Sequence, residues 1–549
     1  MTAVKIPVKV QKRSGFDWSH HNALSQKVGQ IVPIFINEVI PNSKIYLRFA
    51  MAGSMPPLAS DAYMKCYYDI RAFAVPMRLL YGGFESWFAD YPYNVVAYSG
   101  GNVIQQVKSN LPVVDIDYSD ALAVTRTIYT GSLLDYLGFK SPVSPGSLDQ
   151  NIRFSAMPLL AYHKLCDDWF RQPNISVSAF ARPADTDIKA TSAYFCAMAP
   201  FVHMKQGAEV IPVVSSGTGL SNNTFFADGV SLFDLRSANY DYDYFTNALP
   251  SKQLGTAYSV ATTGNNFSIE ALRNANSLQQ FAELNQLCGS NLVSVVKGRY
   301  GANLHDSIAQ RSIYLGGCRI DIANRAVDVK NSTSAGYSVN PFINQPGSSG
   351  GKVICQGTDV IIDNFVANEP MYIIVVGVVI PKVTYGTGIR RYLRHYIGNG
   401  SIVDMPNPML QNIGNQPIYR YELNGCLGIS GDENQVFGYT DRYAEAMTME
   451  DECHALMSIY NSLGSFVAQR SFDEFDSPVI GTNFLQIPDS ALNNITAVSG
   501  QISQYGFYGQ FAFDCKVAMP LAQYSMPSLQ NPAYEHGKTI TLHRGGFRF

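Results

Sequence analysis

MKCYYDIRAFAVPMRLLYGGFESWF, Met64 to Phe88, holds a strand signal and then something that is not a strand. Taken two by two, Met64, Cys66, Tyr68, Ile70, Ala72 and Ala74 share one face, and Lys65, Tyr67, Asp69 and Arg71 share the other. Period-two alternation of this kind predicts a half-buried β-strand. Pro76 ends the ladder because it has no N–H to donate. Beyond it, Glu85 and Ser86 are the only residues suited to nucleophile or base chemistry, with no histidine near them in sequence. The segment reads as a surface built to be covered, and Arg78, Tyr81, Phe84, Trp87 and Phe88 are its candidate subunit contacts.

Composition agrees with a covered surface. Of 549 residues, 46% are hydrophobic and only 15% charged, with 33 tyrosines and 30 phenylalanines. Interface cores are enriched in aromatics and depleted in Lys and Glu. A chain of this kind suits an obligate assembly, although a large β-rich enzyme has the same composition. The net charge of −3 excludes uniform electrostatic capture of nucleic acid, so any phosphate contact must be local. Lys5, Lys9, Lys12 and Arg13 cluster without an acid at the start, and Arg544 and Arg548 lie near the end. Either group is equally readable as a solubilising tail.

The nine cysteines are scattered without a C-x-x-C, which makes reduced thiols in a cytoplasmic product the expectation. No signal-peptide core opens the sequence. The most apolar run, MYIIVVGVVIP at 371–381, is too short to span a bilayer and predicts a central strand. No membrane insertion is expected.

Strand patterns fill the first quarter, with IVPIFINEVIP (31–41) and KIYLRFAMAG (44–53) split by a turn at Pro41-Asn42-Ser43. They return after about residue 351 and run to SQYGFYGQFAFDCKVAMP (503–520). Between them the period changes. SAMPLLAYHKLCDDWFRQ (155–172) predicts a helix with Pro158 in its first turn. SIEALRNANSLQQFAELNQLCG predicts another, capped by Ser268, with Leu272, Ala275, Leu278 and Phe281 as a stripe. A Ser/Gly/Asn-rich tip lies at 214–229, and a further helix is expected at about 448–464. The pattern is one β-sandwich interrupted by a large mixed insertion, divided as 1–135, 136–350 and 351–549.

Catalytic and cofactor chemistry is not evident. Ser19-His20-His21 points adjacent imidazoles in different directions, and Asp17 beside them suits a turn cap. Asp451-Glu452 with His454 fits a helix start. The DEFD stretch at 473–476 lacks the dense alternation of a calcium loop. No phosphate-binding or dinucleotide fingerprint is present. Arg390, Arg391 and Arg394 stand close together in IRRYLRHY, readable as a helix surface, a phosphate contact or a subunit contact. The expectation is therefore no enzymatic activity, no cofactor and no metal.

FDWSHHNALSQKVGQIVPIFINEVIP and RFAMAGSMPPLASDAYMKCYYDIRAFAVPMRLLYGGFESWF resemble the opening of microvirus major capsid proteins, above all the gokushovirus branch. The order continues through FSAMPLLAYHKLCDDWFRQPNI, DYDYFTNALPSKQLG, IYLGGCRIDI, YGTGIRRYL, NIGNQPIYRYEL and VFGYTDRYAEA to MPLAQYSMPSL. It departs from the family at Asn42-Ser43, at Asn368-Glu369-Pro370-Met371 and after LNQLCGSN. The resemblance implies an eight-stranded antiparallel jelly roll whose sixty copies close a T = 1 icosahedral virion shell, assembled in the bacterial cytoplasm around circular single-stranded DNA. It implies a small basic DNA-packaging protein and an outward insertion that meets a host surface receptor, with Ser215, Asn222, Asn223 and Phe225 as host-facing candidates. DNA-facing candidates are Lys5, Lys9, Lys12, Arg13, Arg390, Arg391, Arg394, Arg544 and Arg548. Two rival readings are a carbohydrate-binding or carbohydrate-cleaving β-sandwich, whose cleaving form would need paired carboxylates across a cleft, and a viral attachment spike.

Overall fold

Alternation along Lys44–Ser54 becomes a strand with two chemically different faces: Ile45, Leu47, Phe49 and Met51 are buried, while Lys44 and Arg48 are exposed. A computed structural model describes residues 13–56, 58, 63, 65–81, 84–88, 98–99, 102–103, 111–117, 120–139, 152–180, 210–213, 215–216, 219–220, 225–253, 268–288, 292–306, 308–328, 349–394, 405–425, 435–459, 461–470, 472, 479–496 and 506–521. The strands of its main ladder and of one small sheet are β1 (Ser14–Asp17), β2 (His20–Gln26), β3 (Val32–Val39), β4 (Lys44–Ser54), β5 (Lys65–Pro76), β6 (Val113–Ile116), β7 (Ile152–Ser155) and β8 (Val210–Val213). Then follow β9 (Ile313–Asp328), β10 (Ser349–Val366), β11 (Met371–Lys382) and β12 (Phe507–Met519).

The main ladder is antiparallel and runs β1-β12-β4-β10-β9-β5-β11-β3, with β2 also on β12. It turns back on itself at β9. The first part of that strand pairs with β5 and its last part with β10. The two layers so formed meet through aromatic side chains. Tyr68 of β5 packs on Phe507 and Phe511 of β12 with ring centroids 4.9 and 5.6 Å apart, and Phe35 of β3 meets Phe513 at 5.5 Å. Tyr68 buries its hydroxyl and donates it to Gln26 Oε1 at 2.9 Å. Gly377 is what makes room: a Cβ there would lie 2.2 Å from that hydroxyl.

β5 departs from the half-buried strand predicted for it. From Ala72 to Pro76 every residue is buried. Its neighbours are β9 and β11, and a helix covers its outer face, with Phe73 5.6 Å from Trp169. The run at 371–381 is the central strand expected, fully buried between β5 and β3.

Helices α1 (Phe84–Phe88), α2 (Ala121–Thr127), α3 (Leu133–Tyr136), α4 (Met157–Trp169), α5 (Ile269–Cys288) and α6 (Leu292–Tyr300) lie between β5 and β9, together with a small sheet ordered β8-β6-β7. α4 carries Pro158 in its first turn and buries Leu159, Tyr162, Leu165 and Cys166. In α5 the Ser268 hydroxyl accepts from Ala271 N at 3.0 Å, as the capping pattern predicts. β9 belongs to the sandwich, because β5 and β10 hold it.

The helix expected at about 448–464 does not form. Its described residues hold the 3₁₀ turn Ala455–Met457, and a second, Gly464–Phe466, begins at its end. Tertiary ion pairs draw its acids out in different directions, Asp451 to Lys382 at 2.8 Å and Glu452 to Arg390, and Ala455 takes a left-handed φ of 57°. A second apolar cluster, including Phe245, Ile418, Phe437 and Phe484, joins the inserted part to the region after β11.

Candidate functional site

The segment after Pro76 divides into an anchor and a display. Arg78 is tied to Glu369 at 2.6 Å, and Met77 N donates to Pro370 O at 3.0 Å. Tyr81 and Phe84 are buried in the chain's own core. Phe84 in turn supports two rings that the core does not absorb, Trp87 at 5.9 Å and Phe88 at 5.7 Å between centroids. Those two side chains are 38% and 56% exposed. Of the five candidate contacts, Trp87 and Phe88 face outward, while Tyr81, Phe84 and Arg78 hold them in place.

The arginine cluster is largely engaged within the chain. Arg391 donates to Pro417 O at 2.6 Å, lies 3.6 Å from Glu422 and 3.8 Å from Glu445, and is only 12% exposed. Arg390 pairs with Glu452, and the Arg394 guanidinium stacks 4.6 Å over Tyr421. Two of the three positive charges, those of Arg390 and Arg391, thus sit against three carboxylates that sequence distance concealed, and the third lies over an aromatic ring. Arg13 donates to Asn42 O at 2.7 Å, which ties it to the turn before β4. Lys5, Lys9, Lys12, Arg544 and Arg548 lie outside the described residues, as does DEFD.

Beside the arginines, a cleft of about 400 Å³ is lined by Asp241, Asp243, Asp441, Glu450, Asp451 and Lys382 among others. Its charge suits no phosphate. Burial, together with Asp243 and Glu422, pushes the Glu450 carboxyl up to about 8, and burial pushes Glu422 up to about 7 against the pull of Arg391. Both groups bind protons more tightly when folded than the ordinary carboxylate range of the unfolded chain. Their contribution to stability is therefore complete below about pH 4 and is lost as pH rises through 7 to 8. Glu450→Gln should flatten that loss, retaining on the order of 1–3 kcal/mol at pH 9, as measured by urea unfolding at several pH values.

The other sites singled out in the sequence have structural employment. His20 packs between Phe35 and Phe513 at 5.6 and 5.2 Å, while Asp17 pairs with Lys516 at 2.8 Å. That cluster is an aromatic contact beside a surface ion pair. Among the described residues, Cys66, Cys166, Cys288, Cys318, Cys453 and Cys515 form no disulfide. No grouping of three or more metal-binding side chains is found among the described residues, and no helix there is long and apolar enough to cross a membrane.

At the tip, Ser215 lies in a two-residue strand, Ser215–Ser216, paired with Gly219–Leu220, and Phe225 bridges to Ser231. Asn222 and Asn223 lie outside the described residues. The run 214–229 is not uniformly an exposed tip. Phe226 is buried with its ring 4.4 Å from His163, and Asp228 pairs with Arg236 at 2.5 Å. Deleting 215–223 should leave unfolding unchanged, whereas Phe226→Ala should cost about 3–5 kcal/mol. Denaturation midpoints of the two variants check this.

α5 turns a different face inward from the one its apolar stripe predicts. Its inward face carries Ala282 and Gln286, whereas Leu272, Leu278 and Phe281 of the expected stripe are exposed. The missed signal is the set of small residues Ala271, Ala275 and Ala282, which share the inward side at helical spacing.

The family described as Capsid protein (F protein) matches residues 4–529. Capsid protein VP1 of Chlamydia phage 1 is 24% identical, covering 96% of this chain and 97% of that protein. Capsid protein VP1 of Spiroplasma virus 4 is 26% identical over 79% of this chain and 80% of its own, and that of Bdellovibrio phage phiMH2K is 25% identical over 80% and 81%. Similarity of that reach takes in the sandwich strands, the inserted helices and the exposed aromatics of α1 alike, and this chain belongs to the microvirus capsid protein (F protein) family.

Proposed function

We propose that the chain is the major capsid protein of a T = 1 icosahedral shell, that it closes as sixty copies around circular single-stranded DNA, and that it has no catalytic activity. The observation that carries this is a two-layered antiparallel sandwich with its large aromatics, Trp87 and Phe88, held outward on a braced five-residue helix. In this reading the sandwich is an eight-stranded jelly roll, with β1 and β2 acting as one interrupted edge strand on β12. The inserted region faces outward, and its tip around Ser215 to Phe225 meets a host receptor. Shells assemble in the bacterial cytoplasm and become virions. Electron microscopy of the purified chain tests the proposal: closed shells of uniform diameter support it, and only monomers or small rings would sink it.

The internal engagement of Arg390 and Arg391 shifts the DNA-binding role to the chain ends, where Lys5, Lys9, Lys12, Arg13, Arg544 and Arg548 supply charge together with a small basic packaging protein. Each contact to single-stranded phosphate contributes a slope of about −0.7 in log affinity against log salt. Neutralising Arg544 and Arg548 should flatten the slope by roughly 1.4. Titrating single-stranded DNA at several salt concentrations measures it, and an unchanged slope removes the C-terminal arm from the proposal.

A further inference from the structure

α5 is amphipathic in the reverse sense. The side against its own chain is small or polar, with Ala282 and Gln286 buried and Gln286 donating to Ser251 Oγ at 3.3 Å. The bulky residues point away: Leu278, Phe281, Leu284 and Leu287 are 41–54% exposed. α6 packs beside it at Cys288, where a Cβ on Gly298 would lie 2.0 Å from the sulfur, and it adds Leu292 and Tyr300 to the exposed surface. Arg299 lies 4.7 Å over the Phe281 ring and donates to Asn285 Oδ1 at 2.9 Å, so Phe281 is fixed in its outward position.

We infer that the outer face of the α5–α6 hairpin is a contact between copies of this chain. Soluble monomers rarely leave apolar patches larger than a few hundred Å². The large apolar side chains on these two helices are each 41–77% exposed, together on the order of several hundred Å², which approaches one partner's share of a standard interface. The hairpin carries few charges, with Glu270, Arg273 and Glu283 on α5 and Lys297 and Arg299 on α6. Two such surfaces therefore approach without like-charge repulsion, whereas a nucleic acid would need a basic stripe and an anionic membrane a richer set of lysines. A second copy fits the area, the apolarity and the near-neutrality together. The loop ending in Met409, Ile413 and Gly414 extends the same surface, since Gly414 packs against Glu283 and both large side chains are exposed.

This inference rests on the capsid reading, and the experiment separates the two. The full-length chain and its Phe281→Glu and Leu284→Glu variants are compared by sedimentation and electron microscopy, with circular dichroism as the check on folding. Wild type should assemble, and each variant should remain folded with its assembled fraction reduced about tenfold or more. Variants that assemble like wild type overturn the hairpin contact and leave the capsid reading standing. A wild-type chain that never assembles overturns both. Hydrogen exchange on assembled and dissociated wild type covers the case of a variant that misfolds: protection of 269–288 gained on assembly supports the contact, and unchanged exchange there refutes it. Phe281→Leu should assemble normally, because it keeps the apolar face. Binding of the dissociated wild type to anionic vesicles or single-stranded DNA, lost in Phe281→Glu while assembly is intact, would reassign the face and defeat the proposal.

Discussion

Replacing Arg236 by alanine should destabilise the chain by about 3–5 kcal/mol, because it strands a carboxylate that the fold has taken out of water. Arg236 is 13% exposed and does three things at once. Its Nη1 binds Asp228 at 2.5 Å, its Nε donates to His163 Nδ1 at 2.8 Å, and its guanidinium lies 5.5 Å over the Phe226 ring. The backbone of the same residue ties the inserted region to the sandwich. Arg236 N donates to the Tyr162 hydroxyl at 2.9 Å, that hydroxyl donates to Ile31 O at 2.7 Å, and Ile31 N donates to Arg236 O at 2.9 Å. Losing the side chain leaves Asp228 with its principal cation gone. Arg236→Ala combined with Asp228→Asn should recover part of the loss, and a double mutant no more stable than the single would show that the ion pair is not what matters.

The same network fixes a pH dependence of opposite sign to that of the acid cleft. His163 is wholly buried and accepts from Arg236 at Nδ1, so its proton sits on Nε2, 3.0 Å from Leu232 O. Burial, then the neighbouring guanidinium, hold its pKa well below the ordinary histidine range. The unfolded chain takes up that proton near pH 6.5 while the folded chain refuses it, so stability falls as pH drops below about 6.5. His163→Gln keeps an acceptor and a donor and should remove this part of the acid sensitivity.

How much of this was legible in the sequence depended on whether a residue's role is set by its near neighbours. The period-two strands were legible, since β4 and β12 each pack one face against a core. So were α4, with Pro158 in its first turn, and α5, with Ser268 as its cap, because capping is local chemistry. Three features were not. The double-sided burial of β5 depends on α4, which lies 81 residues further along from Pro76 to Met157. The run at 448–464 has helix-forming composition, but Lys382 and Arg390 draw its acids elsewhere. Arg390 and Arg391 read as free positive charge until Glu422, Glu445 and Glu452 are brought beside them. In each case a partner distant in the chain outweighs a local preference worth a few tenths of a kcal/mol per residue.

The double variant Trp87→Ala, Phe88→Ala should still fold, with a loss of stability of about 1–2 kcal/mol, and fail to form shells. Phe88 is 56% exposed and Trp87 38%, so truncation opens no enclosed cavity, although Trp87 gives up the surface it covers against Phe84. Tyr81 and Phe84, which are buried, hold α1 in place without them. At an interface the balance reverses, since a tryptophan or other large aromatic inserted into a partner is the kind of contact whose loss costs about 2 kcal/mol or more. In a closed shell that cost recurs at every copy. A 2 kcal/mol penalty, roughly thirtyfold in one pairwise equilibrium, is therefore compounded over many contacts in assembly. The expected result is a cooperative unfolding curve shifted by no more than about 2 kcal/mol beside a critical assembly concentration raised at least tenfold, read by light scattering against protein concentration. Phe84→Ala should give the opposite pattern, because that ring lies in the core and carries the other two: lower stability, by about 3 kcal/mol, together with poorer assembly. If the double variant assembled at the wild-type concentration, the aromatics of α1 would be surface residues without a partner, and the contacts that close the shell would have to be sought elsewhere.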